Sequence, residues 1–147
     1  MTLTALKPQP EPAHIFPIRV YYEDTDAGGI VYYANYLKFA ERARTEMLRE
    51  AGFHHTAMLE QDAIILAVRR CSAEYLKPAK LDDQLSVSTR IGGLGAATID
   101  LAQSIRRGGD ELCRVDVTIA CVGRDGRPVR LPAALRSVLS TDPALRK

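Results

Sequence analysis

Residues 21–48 read YYEDTDAGGIVYYANYLKFAERARTEML. Asp24 and Asp26 stand just ahead of Gly28 and Gly29, and an amphipathic run follows. Aspartates at a strand-to-loop junction commonly bond nearby backbone N–H groups, and glycines beside them serve the turn. A second chemistry is open to the same residues. The first N–H groups of a helix lack intrahelical partners and carry the positive end of its dipole, so they attract an oxygen bearing negative charge. A carboxylate on a glycine loop just upstream can face that spot, because glycine lets backbone approach closely. Together they supply what ester or thioester hydrolysis requires: a group to attack or to activate water, and donors for the developing oxyanion. An aspartate, with an unperturbed pKa of ~3.9, is ionised at neutral pH and suits that work.

The elements that must hold these groups follow from periodicity. From Tyr33, apolar or small residues recur at Tyr36, Leu37, Ala40, Ala43, Met47, Leu48 and Ala51, with Gly52 as a C-terminal stop. That three-four spacing predicts a helix of about five turns. Before it, IFPIRVYY (15–22) reads as a strand; after it, His55 to Glu60 forms a short helical connector. Three further extended stretches follow the strand AIILAVRRCSAEYL, which ends at Lys77-Pro78. They are QLSVSTRI after the Asp82-Asp83 turn, ATIDLAQSIRR, and ELCRVDVTIACVG beyond the RGGD hairpin. Ala97, Ile99, Leu101, Gln103 and Ile105 share one side of their strand, as do Cys113, Val115, Val117, Ile119 and Cys121. PAALRSVL (132–139) is a short closing helix. The fold class is α+β: an antiparallel sheet of about five strands wrapped around one long helix, the only cover available for its face. Exposed sheet edges make self-association the expectation.

A chain of 147 residues carries one domain with a real core. We place a flexible, proline-rich tail at 1–14 and the domain at 15–147. A formal charge of +2 with no dense basic run gives no reason to expect nucleic acid. Cys71, Cys113 and Cys121 are odd in number and lack C-x-x-C spacing, against a disulfide framework or a zinc site. They read as reduced, strand-borne core residues. No window approaches the ~18 apolar residues of a membrane span, and the start lacks a signal peptide. The cytoplasm is the default location.

The run RVYYEDTDAGGIVYYANYLKFAERARTEML resembles the signature of the 4-hydroxybenzoyl-CoA thioesterase branch of the hotdog-fold superfamily. It is similar in particular to the bacterial acyl-CoA thioesterases associated with the Tol–Pal envelope system. The dense match spans 19 to about 52, and RRCSAEYLKPAKLDD and GRPVRLPAAL extend it over nearly everything after the tail. The resemblance implies a helix wrapped by an antiparallel sheet, in homodimers with active sites at the interface and often homotetramers. It implies hydrolysis of acyl-CoA, or of acyl-carrier-protein thioesters, to free acid and thiol. No cofactor or metal is implied, since coenzyme A is part of the substrate.

The family's catalytic carboxylate, two places before the first glycine, falls on Asp26 rather than Asp24. The amide that polarises the thioester carbonyl falls on the backbone N–H of Tyr33. Many Tol–Pal-associated members carry histidine there; the tyrosine ends any histidine-dependent proton transfer but keeps the amide. Gly28, Gly29 and Asn35 complete the substrate-binding candidates, and Asn35 either orients Asp26 or caps the helix. Tyr36, on the apolar face, reads as core. Glu41 and Glu46 have arginine neighbours at helical spacing and read as ion pairs. Arg69, Arg70, Lys77, Lys80 and Arg90 are available for coenzyme A phosphates, while the basic cluster of benzoyl-type relatives is replaced by IGGLGAAT. Whether Asp26 attacks directly or activates water stays open. Two other functions compete: a hotdog hydratase or dehydratase, disfavoured because no histidine lies between positions 14 and 54, and a non-catalytic acyl-CoA-binding module.

Overall fold

The computed structural model describes residues 13–141. In chain order these form β1 (His14–Arg19), α1 (Asn35–Glu50), α2 (His55–Ala57), β2 (Ile64–Tyr75), β3 (Gln84–Leu94), β4 (Thr98–Arg107), β5 (Asp110–Gly123) and α3 (Ala133–Thr141). All five strands join one antiparallel sheet in the order β1-β3-β4-β5-β2. The sheet packs on α1 in the expected hotdog arrangement.

Helix α1 buries Tyr36, Ala40, Ala43, Met47 and Leu48 as the spacing predicts, but it also buries Phe39, which that reading left out, and leaves Leu37 exposed. Around its first half these residues meet Ile18, Val87, Ile105 and Val115. Met47 and Leu48, in its second half, meet Ile99, Leu101, Val117 and Leu135 of α3. Burying a side chain such as Phe39 contributes about 1.5–3 kcal/mol, and Ala40 and Ala43 are small enough for the sheet to approach the helix backbone. Gln103, on the inward side of β4, is buried among them. Its Nε2 donates to the Ala40 carbonyl at 2.9 Å and to Thr89 Oγ1 at 3.0 Å, and its Oε1 accepts from Arg44 at 3.0 Å. A buried amide so partnered fixes where the helix lies on the sheet.

Four details correct the sequence reading. The first strand runs His14–Arg19, not 15–22, because the chain turns into a 3-10 turn at Tyr22–Asp24. His14 therefore belongs to β1 and is buried, not part of a tail; residues 1–12 of the tail lie outside the described residues. The long helix begins at Asn35 rather than Tyr33, since the Asn35 N–H bonds the Tyr32 carbonyl at 2.8 Å in a tighter turn. Cys71 is exposed, unlike buried Cys113 and Cys121, because β2 is an edge strand. Burial raises the Cys113 thiol to about 11, which leaves it unreactive.

The segment after β2 is held by charge. Asp83 Oδ2 accepts from the Lys80 N–H at 2.8 Å and from Arg107 at 2.7 Å. Burial raises this carboxyl, but the Lys80 amide and the Arg107 guanidinium outweigh it and hold Asp83 below the usual carboxylate range. The Ser104 hydroxyl and the Arg114 guanidinium lower Glu111 in the same direction. A carboxyl depressed in the fold adds stability that is present above its unfolded pKa of ~4 and lost as pH falls through its folded value. Melting temperature should therefore drop from pH 5 toward pH 3, and Asp83→Asn should lower it at pH 7 while flattening the acid slope. Parallel curves for the two proteins would contradict this role for Asp83.

Candidate active site

The two aspartates do different work. Asp24 is buried, and its Oδ2 accepts the Tyr21 N–H at 2.8 Å, the ordinary turn role. Its carbonyl accepts twice, from the Tyr32 N–H at 2.9 Å and from Asn35 Nδ2 at 2.8 Å. Asn35 thus neither caps α1, whose N-cap is Ala34, nor bonds the Asp26 carboxylate. Its buried amide ties the start of the helix to the incoming chain.

Asp26 opens a tight hairpin. Its N–H donates to the Ile30 carbonyl at 2.9 Å, and the Gly29 N–H returns to the Asp26 carbonyl at 3.0 Å. Thr25 and Val31 bridge below it. Such a three-residue loop closes with a residue in the left-handed region, and Gly29 supplies it at φ 79°. Gly28 serves another need: its N–H donates to Asp26 Oδ1 at 2.8 Å, and a Cβ there would lie 3.2 Å from that oxygen. The two glycines accordingly shape the loop and hold one carboxylate oxygen in place, leaving Asp26 an exposed side chain.

Tyr33 lies in the turn between this hairpin and α1. Among the described residues its N–H has no hydrogen-bond acceptor, and neither has that of Ala34, whereas the Tyr32 and Asn35 amides are both engaged. Its ring packs 4.9 Å from Tyr32 and edge-on to Tyr75, the last residue of β2, at 6.0 Å. The neighbouring Tyr33 phenol raises the Tyr32 phenol above its ordinary value. Tyr36 is core, as read, but its hydroxyl also accepts the Ala79 N–H at 2.9 Å. Burial raises that phenol and outweighs the opposing Ala79 bond, so it stays neutral. The sequence reading missed this bond; a tyrosine rather than a phenylalanine on a buried face was its one signal.

The other candidates scatter. Glu46 pairs with Arg49 at 3.4 Å, as expected, while Arg44 turns inward to Gln103. Lys77 pairs with Asp110 at 3.2 Å; Arg69, Arg70 and Lys80 are exposed. An apolar cavity of about 60 Å³ lies between α1 and strands β2, β4 and β5, floored by Leu48, Ile99, Leu101 and Ile119. Its helical lining begins at Glu41, six residues past the helix start, or roughly 9 Å at ~1.5 Å per residue. Neither Asp26 nor Tyr33 lines it. The cavity therefore does not include the residues that the sequence reading selected.

The hairpin geometry makes a direct prediction. Gly29→Ala should destabilise the protein by about 1 kcal/mol in chemical denaturation, because alanine is strained at positive φ. Gly109→Ala, at a glycine without positive φ and with open space at its Cβ position, should be neutral or slightly stabilising. Equal effects would contradict the conformational assignment.

Comparison with known proteins identifies the family. The family model described as "Thioesterase-like superfamily" matches residues 20–139. The chain is 43% identical over 123 residues to the acyl-CoA thioesterase YbgC of Haemophilus influenzae, covering 83% of this chain and 90% of that one. It is 43% identical over 108 residues to the acyl-CoA thioester hydrolase YbgC of Escherichia coli, covering 73% and 80%. A probable thioesterase from Bartonella henselae superposes with a TM-score of 0.79 at 39% identity, covering 82% of this chain and 99% of that one. The chain belongs to the thioesterase-like superfamily and, within it, to the YbgC-type hotdog thioesterases, which are thioester hydrolases.

Proposed function

We propose that the protein hydrolyses acyl-CoA thioesters to free acid and coenzyme A, with Asp26 as the reacting carboxylate and the Tyr33 N–H as oxyanion donor. The observation that carries this reading is the pairing of an exposed carboxylate, aimed by the Gly28 amide, with a main-chain N–H that lacks an internal acceptor at the start of α1. In hydrolysis the thioester carbonyl oxygen gains negative charge as the tetrahedral centre forms. A donor fixed in place beforehand stabilises that charge without reorganising. Asp26 either attacks the carbonyl carbon, giving a mixed anhydride that water cleaves, or takes a proton from attacking water; the thiolate of coenzyme A leaves in both. Gly28 and Gly29 keep side chains out of the approach. Acyl carrier protein thioesters present the same reacting group and are a second substrate class. A hydratase reading lacks its histidine: His54 and His55 stand beyond the far end of α1.

The supporting architecture is a homodimer, or a homotetramer built from it, formed along β2. That strand is a sheet edge of 12 residues with Ile65 and Val68 exposed, a surface that requires cover. Its last residue, Tyr75, touches Tyr33, so a partner along β2 would reach the site. No helix of the described residues is long and apolar enough to cross a membrane, and the acyl-CoA substrate fits a cytoplasmic location.

Asp26→Asn should lower acyl-CoA turnover, followed by thiol release, by roughly two to four orders of magnitude with the fold intact. Unchanged turnover would rule out the assignment. Val68→Glu should shift the protein toward monomer in sedimentation velocity, whereas an unaltered oligomer would exclude β2 as the interface.

A further inference from the structure

From the bonds around Ala79, we infer that Tyr36 is a positioning residue for the reaction, setting the Asp26 hairpin against the helix start from a distance; this rests on the proposed role of Asp26. The connection is continuous. The Tyr36 hydroxyl accepts the Ala79 N–H at 2.9 Å, and the Ala79 carbonyl accepts the Val31 N–H at 2.9 Å. Lys80 bridges Ile30, Val31 bridges Thr25, and the Ile30 carbonyl accepts the Asp26 N–H. The outgoing limb of the hairpin is thus bound to the segment after β2, and that segment is bound to α1 through one side-chain oxygen.

The incoming limb has its own tie, Asn35 Nδ2 to the Asp24 carbonyl at 2.8 Å. Asn35 and Tyr36 are consecutive, so the first turn of α1 holds both limbs. Both are nearly inaccessible, at 9% and 3% exposure, so their bonds do not compete with water. The Ala79 segment is itself anchored. Asp83 receives Lys80 and Arg107, the Asp83 carbonyl accepts the Val20 N–H at 2.9 Å, and Ala79 is fully buried. Ala79 and Val31 also pack in one core cluster with Tyr36, and the hydroxyl adds the directional contact that fixes the spacing of block and helix. Catalysis by placed groups is sensitive to that spacing, since a shift of ~1 Å can cost ~10²-fold in rate. Tyr36 touches no reacting atom in this scheme; it acts through Ala79.

Tyr36→Phe keeps the ring and its edge contacts to Phe39 and Tyr75 but removes the acceptor. We expect kcat to fall about 10- to 100-fold with KM within about twofold, and the effect to vanish in an Asp26→Asn background. Ile91→Val, a core change in the other half of the molecule, should lower the melting temperature without changing kcat. If Tyr36→Phe does not fold, 4-fluorophenylalanine placed at position 36 keeps an atom in the hydroxyl's place with a far weaker acceptor and should lower kcat alone. Wild-type kcat in both altered proteins, or an equal loss with and without Asp26, overturns the positioning role. Wild-type turnover in Asp26→Asn overturns the catalytic reading and this one together. A dead Asp26→Asn beside a fully active Tyr36→Phe overturns only this one.

Discussion

The site depends on one carbonyl. The oxygen of Asp24 accepts the Tyr32 N–H and the Asn35 side chain at once. These two bonds close the chain on itself over residues 24–35 and determine where the hairpin ends and α1 begins. They also decide which amides remain unspent. Tyr32 and Asn35 are engaged, and Tyr33 and Ala34 between them have no acceptor among the described residues. An oxyanion donor needs that condition: an amide already bonded within the protein has little left for a substrate.

The same constraint separates two carboxylates only two residues apart. Asp24 is buried and consumed by the turn; Asp26 is exposed at the hairpin, with one oxygen steadied by the Gly28 amide. Only the second is free to meet a ligand. The dipole of α1 adds to the attraction for negative charge at this end. The aromatic rings of Tyr32, Tyr33 and Tyr75 connect the site to the edge strand β2, where a second copy would bring its own surface to the substrate.

Much of this was legible in the sequence because it follows from local periodicity. The apolar spacing on α1 and the alternation on β4 and β5 match the buried faces. Asp26 was separated from Asp24 by resemblance to a family; residue types alone left the two equivalent. What escaped were features set by distant partners. The helix begins two residues late because Tyr32 is held by Asp24. The Tyr36 hydroxyl meets an amide 43 residues along the chain. Gln103 was placed on the inward side of its strand, yet nothing in an alternating pattern says that its amide must bond the Ala40 carbonyl, or that Arg44 must follow it inward. Cys71 lies outside the core because strand order, not strand pattern, makes β2 an edge.

The central claim is geometric, and a complex can test it directly. A crystal structure with a non-hydrolysable acyl-CoA analogue, its thioester sulfur replaced by methylene, should place the analogue's ketone oxygen within hydrogen-bond distance of the Tyr33 N–H. The Asp26 carboxylate should then face the carbonyl carbon or a water beside it. An analogue whose ketone lies elsewhere, with the Asp26 carboxylate facing away from it, would contradict the account.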